Sequence, residues 1–185
     1  MVLTKTPICN FGEKTKSFEL KGTDGQLHKL EDHVGKNGLL IMFICNHCPY
    51  VKAIIGDLAK DCNELKKDGI NSVAIMSNDT KNYPEDSFDN MIKFAKANKF
   101  GEMNYLIDET QEIARKYGAV CTPDFFGYNK DLKLQYRGRF RELKDLKPIS
   151  SGDSDLKVAM KMISKTQAGP KEQIPSMGCN IKWFN

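Results

Sequence analysis

The chain has 185 residues, with 28 Lys and Arg against 24 Asp and Glu, and a net charge of +4 at pH 7. That length fills one domain of ordinary size, and 40% hydrophobic with 28% charged residues is a globular composition, not a disordered one. A charge of +4 over this length demands neither a nucleic-acid nor a membrane partner, and no apolar run approaches the roughly 20 residues of a bilayer span.

The segment Met1-Val2-Leu3-Thr4-Lys5-Thr6-Pro7 has no continuous apolar stretch of the secretory kind, so a cytoplasmic location is expected. Phe18 to Leu20 and Gln26 to Leu30 flank a Gly22/Asp24-Gly25 turn and predict a hairpin. Leu39 to Ile44, an apolar run preceded by Gly35 and Gly38, predicts a buried central strand. Val51, Ile54, Ile55, Leu58, Cys62 and Leu65 then recur at helical spacing, with Gly69 as the stop. Ile70 to Met76 is a second buried strand, and Phe88, Met91, Ile92 and Ala95 mark a helix capped by Asp86 or Ser87.

Tyr105 to Ile107 predicts a strand, and Asp108 to Gln111 a capping box opening a helix on Ile113, Ala114 and Tyr117. Phe125 to Tyr128 and Lys133 to Tyr136 flank the turn Asn129-Lys130-Asp131. A last helix is expected over 154–165, with Leu156, Ala159, Met160 and Ile163 inward. Residues 167–185 read as an irregular tail that docks through Ile181, Trp183 and Phe184. Strands alternating with helices predict an α/β fold whose central sheet is largely parallel, made mixed by the final hairpin. Arg137, Arg139 and Arg141 read as a solvated row pointing outward, and His28 and His33 as surface residues.

Six cysteines, at 9, 45, 48, 62, 121 and 179, are too sparse for a disulfide scaffold. In a reducing compartment, closely spaced cysteines point to redox catalysis or metal binding, and only Cys45 and Cys48 are close in sequence. Cys45-Asn46-His47-Cys48-Pro49 falls where the first buried strand hands over to a helix, the end of an α/β sheet where chemistry collects. Proline suits the first helical position, which makes Cys48 the N-cap. A helix N-terminus favours an anion and lowers a cysteine pKa, and the thiolate is the nucleophile of disulfide exchange. His47 and Lys52 can add positive field, and Cys45 is the candidate resolving thiol for an intermediate on Cys48. A metal reading would draw on Cys45, His47 and Cys48, needing Cys121 or Cys179 as a fourth ligand; no metal and no organic cofactor are expected. Cys62 reads as core, and nothing recommends Cys9.

The stretch from Phe43 to Val51, with Val120 to Phe126 and Pro175 to Trp183, resembles the peroxiredoxin-like branch of the thioredoxin superfamily, the AhpC/TSA-type proteins. The resemblance implies a thioredoxin fold over one domain, 1–185, with an N-terminal extension (1–35), a core (36–166) and a tail (167–185). It implies that Pro123 is a cis-proline facing Cys48, and that Thr122 and Pro123 meet substrate, with His47 and Pro49 beside them. Cys121 then becomes either a second resolving thiol or a packed neutral one. Cys179 becomes a distant resolving cysteine or, preferably, a structural one. Where peroxiredoxins carry a threonine three residues before the reactive cysteine this chain has Cys45, and their peroxide-binding arginine is not evident. Against thioredoxins, the CxxC ends where theirs begins. The expected activity is thiol–disulfide exchange with Cys48 attacking and Cys45 resolving. Thiol peroxidase and non-catalytic metal or redox sensor are the alternatives. The expected partners are a protein or small-molecule disulfide, or a hydroperoxide, and an external dithiol reductant.

Overall fold

A computed structural model describes residues 2–184. In chain order its elements are β1 (Leu3–Lys5), β2 (Glu19–Gly22), β3 (Leu27–Lys29), β4 (Gly38–Phe43), α1 (Pro49–Leu65), β5 (Ile70–Met76), α2 (Phe88–Ala97), β6 (Asn104–Ile107) and α3 (Glu112–Tyr117). They continue as β7 (Cys121–Thr122), β8 (Asp124–Asn129), β9 (Leu134–Tyr136), β10 (Leu143–Lys144), β11 (Lys147–Pro148), α4 (Asp155–Thr166) and β12 (Met177–Asn180).

The main sheet has seven strands in the order β3-β2-β6-β5-β4-β8-β9. The pairs β4–β5 and β5–β6 are parallel and the other four pairings antiparallel, so the sheet is mixed as expected but not largely parallel, because the N-terminal hairpin joins it as well as the final one. Strand β4 lies centrally and alternates its side chains between two cores, as a period of two requires. Leu40 and Met42 enter the core shared with Val51, Ile54 and Leu58 of α1 and Leu156, Met160 and Ile163 of α4. Leu39, Ile41 and Phe43 enter the opposite core, with Ile113, Ala114 and Tyr117 of α3. Every residue of β4 is buried, and each large aliphatic side chain withdrawn from water contributes about 1.5–3 kcal/mol. The strand end that carries the cysteines is therefore held rigidly from both faces.

A second, three-stranded sheet has the order β1-β12-β7, antiparallel throughout, with Cys179 opposite Leu3 on one side and Thr122 on the other. The tail read as irregular thus contains a strand, too short and too glycine-marked for its alternation to be visible. Gly178 is required there, because a Cβ would meet the carbonyl oxygen of Thr122 at 2.1 Å.

Several local expectations meet a different outcome. Ser154, read as the first residue of the last helix, is instead its N-cap, the hydroxyl accepting from Lys157 N at 3.0 Å. No side chain caps α2, and Asp86 turns inward. Ile92, assigned to the inner face of α2, is exposed. The start of α3 is held by Asp108, which accepts from Ile113 N and Ala114 N, in place of a capping box. The arginines do not form a solvated row, because β9 ends at Tyr136 and the strand alternation ends with it. Arg137 is buried, pairing with Asp124 at 2.9 Å and lying over Phe126 at 4.4 Å. Arg139 binds Asp155 at 2.6 Å, and Arg141 donates to the carbonyls of Ser150 and Gly152. His33 is buried and stacks on His28, with ring centroids 5.3 Å apart. Cys9 is buried in the α3-side core, and Cys62 is core as read. No helix among the described residues is long and apolar enough to cross a membrane.

Candidate active site

After Phe43 the backbone of β4 makes one further sheet bond, Ile44 N to Ile75 O at 3.0 Å, and then turns into α1. Cys48 is the N-cap with extended backbone (φ −62°, ψ 123°), and Pro49 opens the helix, as the sequence predicts. Facing it is the loop between β7 and β8, where the Thr122–Pro123 bond is cis, as the resemblance implies.

Thr122 is the hub of the arrangement. Its hydroxyl lies 3.3 Å from Cys45 Sγ, its carbonyl oxygen 3.2 Å from Cys48 Sγ, and its backbone is in register with Cys179. Cys179 Sγ lies 2.8 Å from Cys48 Sγ. The cysteine expected to be remote and structural is thus in direct contact with the expected nucleophile. All six cysteines are thiols, and the three around Thr122 are enclosed: Cys48 is 0% exposed, Cys45 and Cys179 1% each.

The sulfurs differ sharply in acidity. Hydrogen bonding from the Cys45 thiol acts most strongly on Cys48 and outweighs burial; the Cys179 thiol and the N–H groups of Val51 and Cys179 add to it, and the pKa falls from 9.0 to about 5. The neighbouring thiols therefore act more strongly on Cys48 than the helix N-terminus foreseen from sequence, whose Val51 N–H is a smaller influence. Cys45 moves the other way, well above the ordinary range, because the bond to Cys48 holds its proton and burial disfavours its anion. Burial, then the hydrogen bond to Cys48 and its charge, pushes Cys179 up to about 12. Of the three sulfurs, Cys48 is the one whose thiolate is favoured, while Cys45 and Cys179 are both shifted towards the protonated form.

Behind the cysteines sits a polar layer built on Asp86, whose side chain is wholly buried. Its carboxylate accepts from Asn46 N at 2.8 Å, His47 Nδ1 at 2.7 Å and Asn78 Nδ2 at 2.8 Å. Burial alone would raise its pKa, but these bonds, led by that from His47, outweigh it and hold the carboxyl below the usual range. The Asp86 bond in turn raises the His47 pKa against the opposing effect of burial. The His47 ring stacks on Tyr83 with centroids 5.7 Å apart, and Tyr105 donates its hydroxyl proton to Asn46 Oδ1 at 3.1 Å. Asp86, Asn78 and Tyr83 escape the sequence reading, since nothing in Pro84-Glu85-Asp86-Ser87 separates an inward carboxylate from a helix cap. Cys45, His47 and Asp86 offer ligand atoms within 4.8 Å of one another. His47 Nδ1 and Asp86 Oδ2 are already bonded to each other there, so a metal taking both of those atoms would have to displace that bond.

Pro49 and His47 are half-buried at the rim. Cys121 is fully buried, its thiol directed to the carbonyl of Pro123 at 3.6 Å, and burial keeps it protonated. A groove of about 510 Å³ opens beside Pro123, lined among others by Tyr50, Ile54, Phe140, Ile174 and Met177; none of the cysteines lines it.

The cysteine pair at the end of a central strand and the cis-proline facing it, set in this mixed sheet with helices on both faces, make this a thioredoxin fold. The AhpC/TSA family model matches residues 11–137, more than half of the chain, and the protein belongs to that family. It is 38% identical to an uncharacterised conserved protein from Geobacillus kaustophilus, which it covers to 97% with 100% of its own length and a TM-score of 0.93. A hypothetical protein from Sinorhizobium meliloti is 35% identical, with 98% of each chain covered and a TM-score of 0.89. The exposed lipoprotein thioredoxin Etrx1 of Streptococcus pneumoniae shares the fold at 22% identity, with 81% of this chain and 98% of that one covered and a TM-score of 0.58. No curated protein matches the chain.

Proposed function

We propose that the protein is a thiol–disulfide oxidoreductase in which Cys48 is the nucleophile and Cys45 the resolving thiol. Family membership supports a thioredoxin-like redox function. The observation that carries the finer reading is the placement of Cys48 at the N-cap of α1, its sulfur against the loop of the cis Thr122–Pro123 bond, with its pKa lowered to about 5 chiefly by the neighbouring Cys45 thiol. The Cys48 thiolate attacks one sulfur of a substrate disulfide and expels the other as a thiolate, which takes a proton. Cys45 gives up its proton and attacks Cys48 Sγ, the mixed disulfide breaks, and the second substrate thiol leaves. An external dithiol then reduces the Cys45–Cys48 disulfide. The groove beside Pro123 is the approach for the substrate chain, with Pro123 and Tyr50 in its lining; Thr122, His47 and Pro49 meet the substrate next to the cysteines once it is bound.

A disulfide is favoured over a hydroperoxide by the placement of the arginines. Arg137 and Arg139 are held by Asp124 and Asp155, Arg141 by loop carbonyls, and Arg115 lies over Trp183. Among the described residues every guanidinium is thus already engaged by another group, which leaves none uncommitted to receive the oxyanion that peroxide cleavage releases. Insulin reduction with a dithiol donor tests the reading. Cys48→Ser abolishes turnover while Cys62→Ser, in the core, retains it; a Cys48→Ser protein as active as wild type ends the proposal. Faster consumption of hydrogen peroxide than of disulfide, with sulfenic acid trapped on Cys48 in Cys45→Ser, would transfer the site to peroxide chemistry.

A further inference from the structure

We propose, resting on the assignment of Cys48 as nucleophile, that Cys179 is its disulfide partner in the closed oxidised protein, and that β12 lies on the site as a tethered substrate strand. A substrate must bring a sulfur to Cys48 beside Thr122, whose carbonyl touches the Cys48 sulfur. In this structure that backbone edge is already taken. β12 pairs with it antiparallel, Cys179 stands opposite Thr122, and Cys179 Sγ is 2.8 Å from Cys48 Sγ. This is strand addition, a recognition mode normally used for a separate peptide, performed here by the chain on itself.

The strand is fastened at both ends. Ser176 donates its hydroxyl proton to Pro123 O at 2.8 Å and its N–H to the Thr6 hydroxyl at 3.0 Å, while its carbonyl accepts from Thr6 N at 2.9 Å. At the other end, Lys182 N donates to Asn78 Oδ1 at 2.9 Å. With β12 in place the three sulfurs are enclosed, so no outside sulfur reaches Cys48 until the strand lifts. Cys45 lies at the Thr122 hydroxyl, which gives Cys48 a partner from each side of one residue.

The chemistry is an isomerisation. After turnover leaves the Cys45–Cys48 disulfide, Cys179 loses its proton and attacks Cys48 Sγ. The Cys48–Cys179 bond forms, the Cys45–Cys48 bond breaks, and Cys45 leaves as a thiolate that takes up a proton. No electron enters or leaves, and no co-reactant is needed. The reverse attack by Cys45 frees the tail. The oxidised protein therefore stores its disulfide in a form that fastens β12 over the site, and reduction unfastens it.

The test is disulfide mapping of the full chain after oxidation with excess oxidised glutathione, acid quench, alkylation and peptide mass spectrometry. The expected result is that at least half of the disulfide in wild type joins Cys48 to Cys179, that Cys45→Ser keeps this bond, and that Cys179→Ser replaces it with Cys45–Cys48. Less than half in wild type overturns the proposal. A second variant acts without touching sulfur. In Gly178→Ala the new Cβ would collide with Thr122 O, so β12 must shift, and the alkylation rate of reduced Cys48 rises about tenfold, which is about 1.4 kcal/mol in the opening of the strand. An unchanged rate in folded Gly178→Ala overturns the strand's role. The underlying assignment fails separately, through insulin reduction that survives Cys48→Ser. Wild type that reduces insulin through Cys48 but oxidises chiefly to Cys45–Cys48 refutes the tail proposal alone.

Discussion

Deleting the donors around Cys48 should return its acidity towards that of an ordinary thiol, and the structure sets the scale. The fall from 9.0 to about 5 corresponds to roughly 5 kcal/mol of preference for the thiolate, after burial has been overcome. The Cys45 thiol contributes most to that preference, so Cys45→Ala should raise the midpoint by about 1 pH unit or more, and Cys45→Ala/Cys179→Ala further still. The measurement is thiolate ultraviolet absorbance against pH, which reads ionisation; alkylation rate would also read access to an enclosed sulfur. The assay is clean because every other thiol is pushed upward: Cys9 to about 11, Cys62 to about 12, Cys179 to about 12, and Cys45 and Cys121 also raised by burial or by the Cys48 bond. Below pH 8 the signal should amount to one thiolate and vanish in Cys48→Ser. A wild-type protein with no step below pH 8, or a step that survives Cys48→Ser, refutes the reasoning.

Three further outcomes are expected. Asp86→Ala strips the acceptor from Asn46 N, His47 and Asn78 in a buried site and should cost about 3–5 kcal/mol in urea denaturation, with a loss below about 1 kcal/mol contradicting the reading. Arg137→Met leaves the wholly buried Asp124 carboxylate unpaired and should cost a similar 3–5 kcal/mol, most of it recovered in Arg137→Met/Asp124→Leu, as a thermodynamic cycle would record. His33 is held to a pKa of about 4 by burial, with His28 adding to the effect, so between pH 6.5 and 4 the unfolded chain binds the proton that the folded one refuses. Stability should fall as pH drops through that window, by up to about 3 kcal/mol, and His33→Phe should flatten the dependence when denaturation midpoints at pH 7 and 4.5 are compared.

What the sequence reveals here is local. The N-cap position of Cys48 follows from an apolar run ending before a proline, and the two hairpins follow from their turn residues; each is decided within a few neighbours. The partner of Cys48 is decided 131 residues away, through a four-residue strand whose register no periodicity encodes. Gly178 is the one residue that hints at that close approach, and a lone glycine in a proline-flanked tail marks a turn as readily as a backbone contact. Asp86 and Arg137 are misread for a related reason. A charged residue defaults to the surface until a buried partner is seen, and His47 and Asp124 lie 39 and 13 positions from them.

The small sheet also gives the site a mechanical character. Leu3 and Cys179 face each other where β1 begins and β12 nears its end, so tension applied through the segments outside these strands peels the ladder from that side. Outside that rung the backbone bond from Asn180 N to Val2 O at 3.0 Å and the bond from Lys182 N to Asn78 must part first, so traction reaches the sulfur against Cys48 only after they give.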